Sequence, residues 1–274
     1  MKLSKKFVLA LLFIALFTGS AFARHKLGMI SLSNTDPEKF GEIALKIVAA
    51  GDLDFFGNPE PATYAFYDNL NTLMMALNQG DIDEMMYPDM IGDFVVRFFP
   101  NREVKCVRRN AKGNFSFAFA ESNKELRDEF NNALKLLRGD MTLTKLADEY
   151  YKILDPGTAK ATEFEKFEGA KTIKIAITGD IPPIDMITAD GKAMGFNTAV
   201  LSEIAKILKI NIELINIESN ARAAALASGR ADVIFWCLTF QDERFANVDT
   251  PEGIITSDPY FTWNSIVHVG LKNK

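Results

Sequence analysis

The chain has 274 residues, 48% hydrophobic and 24% charged, with a formal net charge of −5, two cysteines and two histidines. That length holds one large or two small domains around a substantial core. The acidic balance argues against nucleic acid or anionic lipid as a partner, and His25 and His268 stand apart from any ligand cluster, so no metal and no cofactor is expected.

Lys2, Lys5 and Lys6 precede an apolar run from Phe7 to Phe17, followed by small residues and Ala21-Phe22-Ala23. This pattern predicts a secretory signal peptide over residues 1–23, cleaved after Ala23. Its apolar core is too short for a comfortable membrane span, and no later run approaches the roughly 20 apolar residues needed. The expectation is an exported, soluble, periplasmic protein without membrane insertion. Loss of three lysines takes the net charge from −5 to −8. An oxidising compartment permits a disulfide between Cys106 and Cys237, yet nothing in the sequence places them together.

From Lys26, "KLGMIS" predicts a short strand, and the next segment carries Phe40, Ile43, Ala44, Ile47 and Val48 at helical spacing, with Asp36 as cap and Pro37 in the first turn. "TYAFY" (63–67) reads as a strand, "LNTLMMALNQG" as a helix ended by Gly80, and "IDEMMY" as a third strand. Such alternation implies a mostly parallel sheet flanked by helices. After Arg102 two extended pieces follow, "EVKCVRR" and "FSFAFA". A helix then carries a capping box, Ser122 with Glu125, and an apolar stripe at Leu126, Phe130, Leu134 and Leu137. Another helix is predicted over 143–154, and the polar stretch 155–170 reads as a linker.

Alternation restarts at Lys171: strand "TIKIAI", loop "TGDIPPIDMITADGKAMG", helix "NTAVLSEIAKILK", strand "INIELINI", helix "ARAAALASG", strand "ADVIFW", and a closing extended "SIVHVG". "LMMALNQGDIDEMM" and "RAAALASGRADVIF" share a helix ending Ala-Leu-x-x-Gly, then an Asp opening a strand, as if one supersecondary unit served each of two lobes.

Residues 171–262 resemble the opening lobe of the family 3 extracellular solute-binding proteins, the periplasmic amino-acid-binding components of ABC transporters. The resemblance rests on "IKIAITGDIPPIDM", "GKAMGFNTAVLSEIAKIL", "AAALASGRADVIFWCLTFQDER" and "SDPYF". "LGMISLSNTDPEKF" and "YDNLNTLMMALNQGDIDEMMYPD" resemble that family's second lobe, and "FSFAFAESNKELRDEFNNALKLLRGDMTLTKLADEYY" its closing helices. These pieces follow the "DPY" segment in the usual order and precede it here, which implies a circularly permuted chain. Duplicated lobes, or completion by a second chain, would give similar text.

The resemblance implies a two-lobed α/β fold of the periplasmic-binding-protein type II, each lobe a mostly parallel sheet flanked by helices. Residues 24–110 form the second lobe, 111–154 the closing helices of the first lobe, 155–170 a linker, 171–263 the first-lobe core, and 264–274 a crossover strand. The permutation demands that "SIVHVG" lie close to "KLGMIS".

A buried amino-acid ligand needs partners for its carboxylate and ammonium. By resemblance, Arg244 binds the carboxylate with its planar fork of donors, although a salt bridge to Asp242 would also explain it. Thr239 falls on a hydroxyl position and Trp236 on a wall position. Trp236 would equally serve as core filler, and Cys237, which replaces what is often a small polar residue, reads more simply as a small packed hydrophobe than as a reactive thiol. Asp180 and Ile181 occupy the loop that carries a ligand-contacting polar group and a stacking aromatic in the family; that aromatic is missing, and Thr178 offers a hydroxyl instead.

The second lobe contributes Ser33, Asn34 and Thr35 at a helix amino end suited to an anion, where capping alone would also favour such residues. Asp89 is the candidate ammonium partner, one position beyond the family's acid, with Tyr87 beside it. The expected function is binding a small polar metabolite, an amino acid or related carboxylate, for uptake by an ABC-transporter permease. A sensor or interaction module that kept the fold without transport is the alternative. An enzyme is not expected: a dehydratase-like activity needs a positioned acid or base, and no motif supports one among Asp180, Asp185, Asp89 or Glu84.

Overall fold

A computed structural model describes residues 25–33, 37–53, 57, 60–99, 103–152, 160–188, 190–239 and 249–272. The predicted signal peptide, the Asp36 cap, and the candidate residues Asn34, Thr35 and Arg244 lie outside the described residues.

The strands are β1 (Lys26–Ile30), β2 (Thr63–Tyr67), β3 (Glu84–Pro88), β4 (Val104–Ala120), β5 (Thr172–Ile177), β6 (Asp180–Ile181), β7 (Asp185–Ile187), β8 (Ala193–Met194), β9 (Asn211–Asn216), β10 (Val233–Thr239), β11 (Ile254–Thr256) and β12 (Phe261–Leu271). The described α-helices are α1 (Pro37–Ala49), α2 (Leu70–Gln79), α3 (Asp89–Val95), α4 (Lys124–Gly139), α5 (Thr142–Tyr151), α6 (Phe196–Leu208) and α7 (Arg222–Ala227).

The main sheet runs β2-β1-β3-β12-β4-β10-β5-β9, with β11 paired to β4. β2, β1 and β3 are mutually parallel, as are β10, β5 and β9. Between these triplets lie the long antiparallel strands β4 and β12. The first part of β4 pairs with β12 alongside β3, and its last part pairs with β10 and β11. Both long strands therefore cross from one half-sheet to the other, and the expected two-lobed α/β arrangement follows from that register. The second lobe holds β1–β3 and the first lobe β5, β9 and β10.

The sequence reads β4 as two extended pieces, whereas it is one strand of 17 residues. Phe115, Phe117 and Phe119 fall on one face of it, because alternate residues of a strand point the same way. Phe117 and Phe119 meet Phe130 of α4 edge-on, with centroids 5.3 and 5.2 Å away. Each such pair adds about 0.5–1.5 kcal/mol beyond area burial. Through this contact and others to α6, α4 and α5 join the first lobe.

Three further differences have local causes. No side-chain cap bond forms at the start of α4, where a 3-10 turn over Glu121–Asn123 takes up Ser122, so the expected capping box is absent. The loop after β5 folds into a small antiparallel sheet, β6-β7-β8, whose strands of two or three residues are too short to show a period. The described part of the linker lies against the first lobe: the Thr162 amide donates to the Ala193 carbonyl at 2.8 Å, and Asn211 bonds both backbone groups of Phe167 at 2.9 Å.

β12 and β1 flank β3, one strand apart rather than adjacent. Glu84 of β3 joins them, with His268 Nδ1 of β12 at 3.0 Å and His25 Nε2, just before β1, at 3.3 Å. Burial alone would raise the Glu84 carboxyl, but hydrogen bonds from His268, Lys105 and His25 hold it far below the usual carboxylate range. Both cysteines are free, Cys106 exposed and Cys237 buried.

Candidate functional site

The parallel triplets β1–β3 and β5–β9–β10 end facing one another across β4 and β12, the place where open α/β sheets put ligands. A cavity with about 40 Å³ of free space lies there, room for two or three water molecules. Met29, Ile30, Leu32, Met86, Tyr87, Pro88 and Ile91 wall it from the second lobe. Ile181, Ile184, Trp236 and Leu238 wall it from the first, and Phe115, Trp263 and Ile266 of the long strands close it.

This lining is carbon-rich, yet two of its residues carry buried polar atoms without hydrogen-bond partners among the described residues: the Tyr87 hydroxyl and the Trp236 indole nitrogen. Ser33 Oγ is in the same state. An unsatisfied buried donor costs about 1–3 kcal/mol. Burial, and next the Asp180 charge, push the Tyr87 hydroxyl well above its ordinary value, so it is a neutral donor.

Among the described residues, hydrogen bonds join the lobes at several points besides Tyr151–Asp89. The Leu70 amide, at the start of α2, donates to Asp180 Oδ2 at 3.0 Å. Asn220 donates to Asp68 Oδ1 at 2.7 Å, and the Ser33 amide donates to Asp249 Oδ1 at 2.5 Å. Asp180 is raised by burial, an effect the Leu70 amide opposes.

Beneath Trp236 sits a buried cation that sequence reasoning placed only within a helix. Arg222 opens α7 and is wholly buried. Its guanidinium carbon lies 3.8 Å from the Trp236 ring centre, its Nε donates to the Ser219 carbonyl at 3.0 Å, and its Nη1 donates to the Trp236 carbonyl. Nη2 stands 3.6 Å from Asp249 Oδ1. Asp249 also accepts the Leu238 amide at 2.8 Å, so it ties Arg222, the end of β10 and Ser33 together. One signal was available: Arg222, Ala225 and Leu226 share the buried face of α7 at positions i, i+3 and i+4. Asp249 carried no local signal.

The structure brings Trp236, Ile181 and Tyr87 to the cavity wall, with Asp180 and Ser33 at its interlobe contacts. Other candidates lie elsewhere. Cys237 turns away from the cavity, since it alternates with Trp236 and Leu238 on β10; its thiol packs with Ala118, Leu226 and Ile234 and donates to the Asp249 carbonyl at 3.1 Å. Burial, and next the Asp249 charge, raise that thiol well above its ordinary value, so it is inert. Thr239 Oγ1 is 3.2 Å from Ser116 Oγ on β4. Thr178 gives both its amide and its hydroxyl to Asp185, at 2.9 and 3.0 Å. Asp89 has both oxygens occupied: Tyr151 donates at 2.6 Å and the Met90 amide at 2.9 Å to one, Ser265 at 3.1 Å to the other. Asp180, rather than Asp89, is the carboxylate whose charge acts on the lining Tyr87 hydroxyl.

Among the described residues no group of three or more metal-ligating side chains is placed to hold an ion, and no helix is long and apolar enough to cross a membrane.

Residues 173–274 match the model of the bacterial extracellular solute-binding proteins, family 3, which bears out the resemblance over that segment. An L-arginine-binding protein of Pseudomonas aeruginosa strain PAO1 is 28% identical over 83 residues, 30% of this chain and 32% of the relative, so the match spans about a third of that protein. Among solved structures, the ligand-binding component of an ABC-type import system from Staphylococcus aureus, with zinc bound, is similar at 14% identity and a TM-score of 0.43, covering 90% of this chain and 65% of that one. A periplasmic substrate-binding protein of an ABC transporter from Coxiella burnetii is similar at 11% identity and a TM-score of 0.38, covering 90% and 84%.

Proposed function

We propose that this is an exported binding protein that holds a small metabolite, an amino acid or related carboxylate, between its two lobes and presents the closed form to an ABC-transporter permease. The observation that carries this reading is the interlobe cavity itself, walled by both lobes, with donors on Tyr87 and Trp236 that have no partner among the described residues and with Asp180 bridging to Leu70. The family match over residues 173–274 and the arginine-binding relative support it.

In this reading Arg244 pairs the ligand carboxylate and Asp180 receives an ammonium where one is present. Residues 1–23 direct export to the periplasm, and the chain order is a circular permutation. The position of β12 and β1 on either side of β3 agrees with that order.

A thermal-shift screen of amino and organic acids tests the proposal. A true ligand at 100 times its dissociation constant stabilises the folded state by about 2.7 kcal/mol. Arg244→Ala should then remove the shift, because an unpaired buried carboxylate costs about 3–5 kcal/mol. A broad panel without any shift, or an unaltered shift in the variant, contradicts the reading.

A further inference from the structure

We infer that the ligand carries an apolar body, a branched aliphatic or aromatic group, which takes the place of the water-sized space lined by Trp236 and Trp263 once the lobes part to admit it, while its polar head lies toward Tyr87 and Asp180. This rests on the interlobe reading above and narrows it to one substrate class.

The inference comes from what the cavity can and cannot satisfy. Both indoles line it, with Ile184 and Leu238 from one lobe and Met86 and Ile91 from the other. A guanidinium, amide or carboxylate on the ligand's side chain would lie against carbon there, and burying such a group without a partner is unfavourable. Arg222 lies beneath the Trp236 ring and is wholly buried; its Nε and Nη1 go to two carbonyls, and its Nη2, without a hydrogen bond among the described residues, faces Asp249 at 3.6 Å. Among the described residues that line the cavity, the polar capacity left suits a head group alone. Tyr87 and Trp236 are each 4% exposed, and each holds a donor with no partner among the described residues. Two such donors suit one acceptor group on an otherwise apolar molecule.

The chain's two tryptophans both line this cavity, so its intrinsic fluorescence reports on occupancy directly. Wild-type protein is titrated with L-leucine, L-phenylalanine and phenylpyruvate, and in parallel with L-arginine, L-glutamine and L-aspartate, with melting temperature followed alongside. At least one apolar probe should give a saturable change in tryptophan emission and a raised melting temperature, at least tenfold tighter than every polar probe. Tyr87→Phe should weaken that probe severalfold without altering the ranking. Equal or tighter binding of a polar probe overturns the apolar assignment and leaves the interlobe proposal standing. No saturable response from any probe, in protein that melts cooperatively, overturns both.

Discussion

Asp180 of the first lobe and Leu70 of the second are 110 residues apart, and a 3.0 Å hydrogen bond from the Leu70 amide to the Asp180 carboxylate joins them. The amide is one of the free donors at the start of α2, so the carboxylate both caps a helix and holds the lobes together. A hydrogen bond to a charged acceptor contributes about 1.5–3 kcal/mol; Asp180 keeps partial solvent access, so about 1 kcal/mol is the working figure. If the lobes close by a two-state hinge, as the proposed function requires, Asp180→Ala should shift the balance toward the open form roughly fivefold. Small-angle scattering should show a larger mean radius. An unchanged radius would mean that the other contacts between the lobes, Asn220–Asp68, Ser33–Asp249 and Tyr151–Asp89 among them, suffice.

Arg222 and Asp249 form the second relationship on which the cleft depends. Both side chains are wholly buried, 3.6 Å apart. Removing one partner of a buried pair leaves the other charged without compensation, at a cost of about 3–5 kcal/mol. Arg222→Met keeps most of the volume and should lower the unfolding free energy by that amount. Urea denaturation checks it through a fall in midpoint at unchanged slope. A loss below about 1 kcal/mol would show that the Leu238 and Ser33 amides satisfy Asp249 without the cation.

How much of this was legible in the sequence depends on the range of the interaction. β2 coincides with "TYAFY" and α2 stops at Gly80 in the left-handed region, because alternation, helical spacing and a glycine cap are local signals. The continuity of β4 depends on partners over a hundred residues away, β10 and β12, which no local window contains. Cys237 was separable from Trp236 in principle, since neighbours on a strand face opposite ways. Asp249 was not: its importance comes from Ser33, which is 216 residues distant. Asp89 looked available as a motif acid, and only the fold supplies the Tyr151 and Ser265 hydroxyls that occupy it.

Stability should fall with rising pH through a window set by Asp185. This fully buried carboxyl is raised from 3.8 to about 6, first by burial and only in part offset by the Thr178 amide and hydroxyl. Between those values the folded protein keeps a proton that the unfolded chain has released. The slope is therefore negative from about pH 4 to 6 and flat above. At about 1.4 kcal/mol per pH unit the total is on the order of 3 kcal/mol. Glu84 acts with the opposite sign at lower pH: its carboxyl is depressed in the fold, so its contribution is present above the unfolded value of 4.5 and lost as pH falls below it. Asp185→Asn should abolish the negative slope and raise the melting temperature at pH 7 relative to wild type. Parallel pH profiles for the two proteins would refute the assignment.

Gly113 tests how tightly the cavity is specified from behind. It lies on β4 directly opposite Trp263 in the β12 register. A Cβ there would stand 2.7 Å from Trp263 Cε2 and 2.8 Å from Cη2, inside van der Waals contact. The Trp263 ring is 1% exposed, and the cavity it lines offers it space to retreat into. Overpacking of this kind costs about 1–3 kcal/mol. Gly113→Ala should therefore destabilise the fold by that amount and at the same time change the tryptophan emission, because the displaced ring moves toward Trp236. Destabilisation without any spectral change would mean that the backbone of β4 yields instead of the indole.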